Sequence, residues 1–138
     1  MGAAKTRRDW FVMIDALFSD STYLSAKKML DVSAMRQEAI ASNLANIETP
    51  NYKRLDVSPT FESQLSQAVA SGESTQINGL QPQLAVDTQA LSGRSDGNNV
   101  ELDQELLKLN QNTVEHALET QMVNSLMTRM RMAVTGKS

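Results

Sequence analysis

A mainly α fold is predicted, with long N- and C-terminal helices forming an antiparallel coiled-coil-like hairpin around a short helix and a flexible, partly extended middle segment. Two observations predict it: apolar residues recur three and four apart near both ends of the chain, and charges along the second periodic segment follow the polarity of a helix dipole. The 138 residues have room for one domain. Aromatic residues make up only 4%, so the large side chains that usually dominate a core are scarce. The reading is of a subunit that needs neighbours to complete its core.

Residues 1–20 read as a disordered or loosely ordered tail. Thr6-Arg7-Arg8-Asp9-Trp10-Phe11 has the arginine pair of a twin-arginine export signal, but the apolar stretch after it, Val12 to Phe18, is short and broken by Asp15. Met13 is an alternative beginning. Residues 21–138 form the folded unit: helix 21–48, irregular middle 49–99, helix 100–135.

The first helix begins at Ser21 or Thr22, either a suitable cap. Tyr23, Ala26, Leu30, Ile40, Leu44 and Ile47 form its stripe, with Ser33 and Gln37 in the same line. That is a coiled-coil period diluted by small and polar residues, which allows close approach of several helices. In the second helix Leu102, Leu106, Leu109, Val123, Met127 and Met130 follow one stripe, with Leu107, Val114, Leu118 and Met122 beside it. So wide an apolar face exceeds the seam of a two-helix pair and predicts more than one partner. Asp103 and Glu105 at its start and Arg129 and Arg131 near its end suit the dipole. Leu30, Ile40, Leu44, Ile47, Leu102, Leu106, Leu109, Val123, Met127 and Met130 are therefore the expected assembly seam.

In the middle, Ser58-Pro59 followed by Phe61, Leu65, Ala68 and Val69 predicts a short amphipathic helix with proline in its first turn. From Ser71 to Asn99 the composition turns to Ser, Gly, Asn, Gln and Thr, a mobile connector in which Gln83 to Val86 is the one strand candidate.

Several function classes lose support. The net charge of −3 and the scattered basic residues argue against nucleic acid as a partner. Without cysteine there are no thiolate ligands or nucleophiles, and one histidine, His116, makes a poor zinc site or catalytic base. Asp96-Gly97-Asn98-Asn99 has the look of a calcium loop, but Leu107 stands where the bidentate carboxylate belongs, so it reads as a turn. No catalytic, cofactor or metal residues and no small-molecule substrate are predicted. The eight methionines suit adaptable packing between non-identical neighbours.

The stretch Asn43-Leu44-Ala45-Asn46-Ile47-Glu48-Thr49-Pro50-Asn51-Tyr52 is a helix exit. Pro50 drives Thr49 into an extended conformation, and Thr-Pro-Asn-Tyr suits a tight turn with Asn51 at the position needing positive φ. This string resembles the N-terminal signature of flagellar rod and hook proteins, with Asn51 where the family usually has glycine. A second string, Asp96-Gly97-Asn98-Asn99-Val100-Glu101-Leu102-Asp103-Gln104-Glu105, resembles the motif leading into the last helix of the proximal rod type. Glu101 and Gln104 replace the usual Asp and Arg. The resemblance spans about Leu30 to Val134.

It implies a self-associating structural subunit of the bacterial flagellar basal-body rod. Such a subunit is exported unfolded through the flagellar type III apparatus without a cleaved signal, and it assembles in the periplasm into the hollow drive shaft that transmits torque. The implied partners are rod proteins of the FlgC, FlgF and FlgG types, the adaptor FliE and the export gate. The alternatives are another axial subunit, FlgC-like or distal, or a basal-body-associated enzyme.

Overall fold

The computed structural model describes residues 20–91 and 94–136. The tail reading for residues 1–20 lies outside the described residues, apart from Asp20.

Helix α1, Ser21–Ala45, is capped by Asp20, whose Oδ1 accepts from the Thr22 N–H at 2.9 Å, so neither Ser21 nor Thr22 is the cap. It ends at Ala45, earlier than the expected residue 48. The Asn46 N–H turns to the Asn43 carbonyl and the Ile47 N–H to that of Leu44, the tighter i−3 winding of a closing last turn. The expected Thr49–Tyr52 turn follows, closed by the Tyr52 N–H on the Thr49 carbonyl at 3.3 Å. Asn51 has φ 60°, the one positive value on a non-glycine among the described residues.

Next come strand β1, Leu55–Val57, helix α2, Pro59–Ser71, helix α3, Ser74–Gly79, and strand β2, Leu84–Val86. The two strands pair antiparallel, Leu55 opposite Val86 and Val57 opposite Leu84. Helix α2 has Ser58 at its N-cap and Pro59 in its first turn, although the serine hydroxyl makes no capping bond. Its Gly72 cap takes φ 70°, which glycine adopts freely.

The middle is therefore more ordered than its composition predicts. Val57, Phe61, Leu65, Leu80 and Leu84 gather on Val32 and Met35 of α1. Ile77 of α3 is fully buried, and Lys28 of α1 donates to the Leu80 carbonyl at 2.6 Å. Burying these side chains compensates the weak helix propensity of Ser-Thr-Gln-Ile-Asn-Gly.

Helix α4, Leu102–Thr135, runs 34 residues, about 51 Å at 1.5 Å per residue. It returns antiparallel along α1, as paired side chains show: Asn43 meets Glu105, Gln37 meets Asn112, and Ser33 meets His116. The seam is polar at these layers. The Asn112 amide donates to the Ser33 carbonyl and to Gln37 Oε1, both at 2.9 Å, and Ser33 Oγ lies 2.9 Å from His116 Nδ1.

The residues read as one assembly seam do not share one face. Ile40 and Met130 are buried, and Leu30, Leu44, Ile47, Leu109 and Val123 are half-buried. Leu102, Leu106 and Met127 are exposed, together with Leu107, Val114 and Leu118 of the neighbouring stripe. The cause is the 105–112–119 spacing, which turns Glu105, Asn112 and Glu119 toward α1 and leaves most leucines of α4 outside.

Candidate functional site

The two motif strings, half a chain apart, form one junction where α1 ends and α4 begins. Asn43, at 0% exposure, uses its side chain as a strand uses its backbone. Its Oδ1 accepts from the Leu55 N–H at 2.8 Å and its Nδ2 donates to the Leu55 carbonyl at 2.8 Å. The same amide reaches Glu105 Oε2 at 3.2 Å, and Tyr52 Oη donates to Asn43 Oδ1 at 3.3 Å. The outer edge of β1 is thereby closed by a helix side chain.

Asn98, also fully buried, does the corresponding work from the second string. Its Nδ2 donates to the carbonyls of Asn46, Ile47 and Thr49 at 2.8 to 3.1 Å, while its Oδ1 accepts from the Val100 N–H at 2.8 Å. Pro50 has no N–H to give the Asn46 carbonyl in a continuing α1, and Asn98 supplies that carbonyl and its neighbours with a donor from across the junction. Arg94 adds a bond to the Ile47 carbonyl at 2.8 Å. The Asn51 N–H donates to the Asp96 carbonyl at 2.9 Å. Gly97, at φ 75°, lies so close that a Cβ there would stand 2.6 Å from Asn51 Oδ1. The Asp96 carboxyl is held below the ordinary carboxylate range by the Asn98 N–H, with help from Arg94.

Beneath this lies a charged hub. Arg54 is 4% exposed and bonds to Glu105 at 2.5 Å, Asp87 at 2.5 Å and Asp56 at 2.8 Å. Its own N–H donates to Asn99 Oδ1 at 2.7 Å, and Asn99 Nδ2 donates to the Ala90 carbonyl at 3.0 Å. Glu105 is completely buried. Burial opposes the charges of both Arg54 and Asp56. The bonds to Asp56 and Glu105 nevertheless raise the guanidinium pKa, and the bond from Arg54 with the Val57 N–H lowers that of Asp56. Lys108 and Arg36 reach Asp56 as well, at 3.3 and 3.5 Å.

Of the motif residues, Asn43, Asn98, Asn99, Val100 and Glu105 are buried in the junction. Leu44, Asn46, Tyr52, Asp96 and Gly97 are half-buried around it, and Ala45, Thr49, Pro50, Asn51 and Asp103 are exposed. Sequence reasoning missed Arg54, Asp56 and Asp87. The available signal was a pair of opposite charges, Arg54 just after the first string and Glu105 closing the second.

The arrangement is a stitch: the side chains of Asn43, Asn98, Asn99, Arg54 and Glu105 are all bonded to neighbours within the chain. Residues 33–53 match the model of the family described as flagella basal body rod protein. The chain is 34% identical over 113 residues to the flagellar basal body rod protein FlgB of Borrelia hermsii, covering 69% of this chain and 82% of that one. The chain belongs to the FlgB family of flagellar basal body rod proteins. The FlgB of Borreliella burgdorferi is 32% identical over 67% of this chain and 80% of its own, and that of Bacillus subtilis 28% over 88% and 98%. This is a family of structural rod subunits and not of enzymes, and the junction accounts for the presence of both asparagine-rich strings in this chain.

The α1–α4 seam has one costly stretch. Asn112 Oδ1 and Glu119 Oε2 are buried without a hydrogen-bond partner. Burial pushes the Glu119 carboxyl above its ordinary 4.5, with the nearby Glu115 charge adding to the shift and Ser33 opposing it. A carboxyl with a raised folded pKa contributes stability that is present below its unfolded value and lost as pH rises through the folded one. Glu119→Leu is therefore expected to stabilise the chain by at most about 1 kcal/mol at pH 8, since solvent screens a carboxyl this near the surface, with a smaller gain at pH 5. Thermal melting of both forms at the two pH values checks it; an equal gain at both would contradict the burial account.

Proposed function

We propose that this chain is a proximal-rod subunit whose folding is completed by assembly. The observation that carries the reading is an inversion in the helical hairpin: polar side chains fill layers of its internal seam, while Leu107, Val114 and Leu118 are 52 to 64% exposed. A solitary domain gains by the opposite arrangement. Ordering the backbone costs about 1–2 kcal/mol per residue, and burial returns about 25 cal/mol per Å² of apolar surface. Covering the outer face against neighbours supplies what the small core of Val32, Val57 and Phe61 does not. The isolated chain accordingly melts broadly and with weak cooperativity.

In this reading the chain crosses the inner membrane unfolded through the flagellar type III export gate, without a cleaved signal. It then assembles in the periplasm near FliE and joins rod proteins of the FlgC, FlgF and FlgG types in the shaft that carries torque. Among the described residues no helix is long and apolar enough to cross a membrane. Deleting the gene removes the rod from electron tomograms and abolishes motility. Site-specific cross-linking to FliE separates the proximal position from a distal one.

Leu118→Asp tests the outer face, because Leu118 is 64% exposed and lies away from the junction. The variant is expected to keep its helical circular dichroism and to lose motility. Normal swimming would remove the outer face from the assembly surface.

A further inference from the structure

Asn78 and Gly79 close the last turn of α3, and Asn78 is the one asparagine in the chain that glycine follows. In such a pair the glycine nitrogen can attack the asparagine's own side-chain amide, because no Cβ hinders its approach. In a folded chain the outcome depends on what holds the two residues. Asn78 is exposed, and its side chain makes no hydrogen bond among the described residues. A Cβ built on Gly79 would meet nothing within 4 Å, so the space around the pair is open. Helix α3 has six residues, too few to keep its last turn closed by its own hydrogen bonds.

Asp96-Gly97, which can undergo the same ring closure, is held shut. The Asp96 carboxylate accepts from the Asn98 N–H at 3.1 Å and from Arg94 at 2.7 Å. The Gly97 N–H donates to the Arg94 carbonyl at 3.2 Å, and Gly97 lies against Asn51. Both the carbon to be attacked and the nitrogen that would attack it are fixed. The chain therefore carries one open site and one closed site for a single chemistry.

We propose that Asn78 is a site of spontaneous covalent modification, and that its isoaspartyl product unfastens α3 from α1 as the protein ages. The Gly79 nitrogen attacks the Asn78 side-chain carbonyl carbon, gives up its proton and expels ammonia, closing a succinimide ring. Water opens the ring at either carbonyl, so one water enters for each ammonia lost and nothing is oxidised or reduced. One opening leaves aspartate. The other leaves isoaspartate, whose main chain runs through the side-chain methylene and is one atom longer. The extra atom falls between two anchors. Ile77 before it is fully buried, and the Leu80 carbonyl after it takes the Lys28 ammonium at 2.6 Å. The Leu80 N–H also closes on the Ile77 carbonyl at 3.3 Å, across the altered link. The lengthened chain does not fit both anchors, and Lys28, 7% exposed, loses the acceptor that lets its charge stay buried.

The full-length chain is kept at pH 8 in native buffer and, in parallel, unfolded in guanidinium chloride. Isoaspartate is located by peptide mass spectrometry and measured by methyl transfer from S-adenosylmethionine with an isoaspartyl methyltransferase. Both sites are expected to convert in the unfolded chain, and Asn78 alone in the native one. Preservation of Asn78 in the native chain, or isomerisation of Asp96 as fast there as in guanidinium, would overturn the proposal. Gly79→Ala, which the open space accommodates, is expected to keep the helical signal and lose the conversion; an unchanged rate would overturn the ring-closure step. Chains carrying isoaspartate are expected to lose hydrogen-exchange protection in α3 while α4 keeps its own. Asn78→Asp adds the same charge without the extra atom and is expected to keep α3 protected. Equal loss in that variant, or none in the isoaspartyl chain, would overturn the release of α3.

Discussion

Arg54→Met is expected to cost the chain about 3–5 kcal/mol, the usual penalty for stranding a buried charge by removing its partner. Glu105 is at 0% exposure and receives the Arg54 Nε–H at 2.5 Å, so water cannot replace the guanidinium without opening the start of α4. Asp56 and Asp87 also lose their bonds, but both are half-buried and rehydrate more easily. Set against the 5–15 kcal/mol typical of a folded domain, this is enough to depopulate the folded state of a chain with so small a core. The helical signal at 25 °C is expected to fall sharply and the rod to be missing from cells. A second substitution separates a stranded charge from lost packing. Arg54→Met combined with Glu105→Gln leaves an amide that can still accept from Asn43, and it is expected to recover a substantial part of the helical signal. If the double variant is no more helical than Arg54→Met alone, the hub is not held together by charge.

The hub also shows why part of this architecture could not be read in advance. Periodicity detects repeating apolar positions, and it located both long helices and α2. Turn chemistry located Asn51, because a Thr-Pro-Asn-Tyr string restricts the backbone whatever surrounds it. Arg54, Asp56 and Asp87 have no period. They are brought together by the β1–β2 pairing and the docking of α4, which are properties of the assembled fold. Helix α3 was hidden for a related reason. Its sequence favours a helix weakly, and what holds it is the complete burial of one residue, Ile77.

The seam residues divide between two faces. Leu102, Leu106 and Met127 fit a heptad as well as Leu109 and Val123 do, and hydrophobicity alone ranks them equally. What decides is which polar side chains have complements on α1. Ser33 and Gln37 were visible in the α1 stripe, and Asn112 answers them from α4. A pattern search that treats such residues as diluents turns α4 by the wrong angle. The motif residues showed the reverse: the strings were recognisable, yet their buried asparagines serve the chain's own backbone before any neighbour's.

Asn98→Ala is the second large effect. One amide nitrogen serves three carbonyls, those of Asn46, Ile47 and Thr49, and the same side chain's oxygen serves the Val100 N–H. The three carbonyls keep second donors, the Thr49 N–H for Asn46, the Tyr52 N–H for Thr49 and Arg94 for Ile47, so the group orphaned outright is the buried Val100 N–H, at about 1–3 kcal/mol. With the three weakened bonds a total loss of about 3 kcal/mol is expected, toward the lower end of that for breaking the hub. Asn98→Asp discriminates between shape and hydrogen bonding, because aspartate nearly preserves the volume but replaces the donor by an anionic acceptor facing three carbonyl oxygens. It is expected to be worse than alanine at pH 7, measured as helical signal and as the fraction of cells with rods. Aspartate tolerated better than alanine would mean that Asn98 chiefly fills space and that the other donors to the three carbonyls suffice. The physical point is how the helix end is held: with the Asn98 donor gone, Arg94 on the Ile47 carbonyl and the Asn51–Asp96 backbone bond are left to fix the exit of α1, and the angle at which the Thr49–Tyr52 turn delivers β1 and Arg54 to the hub loosens.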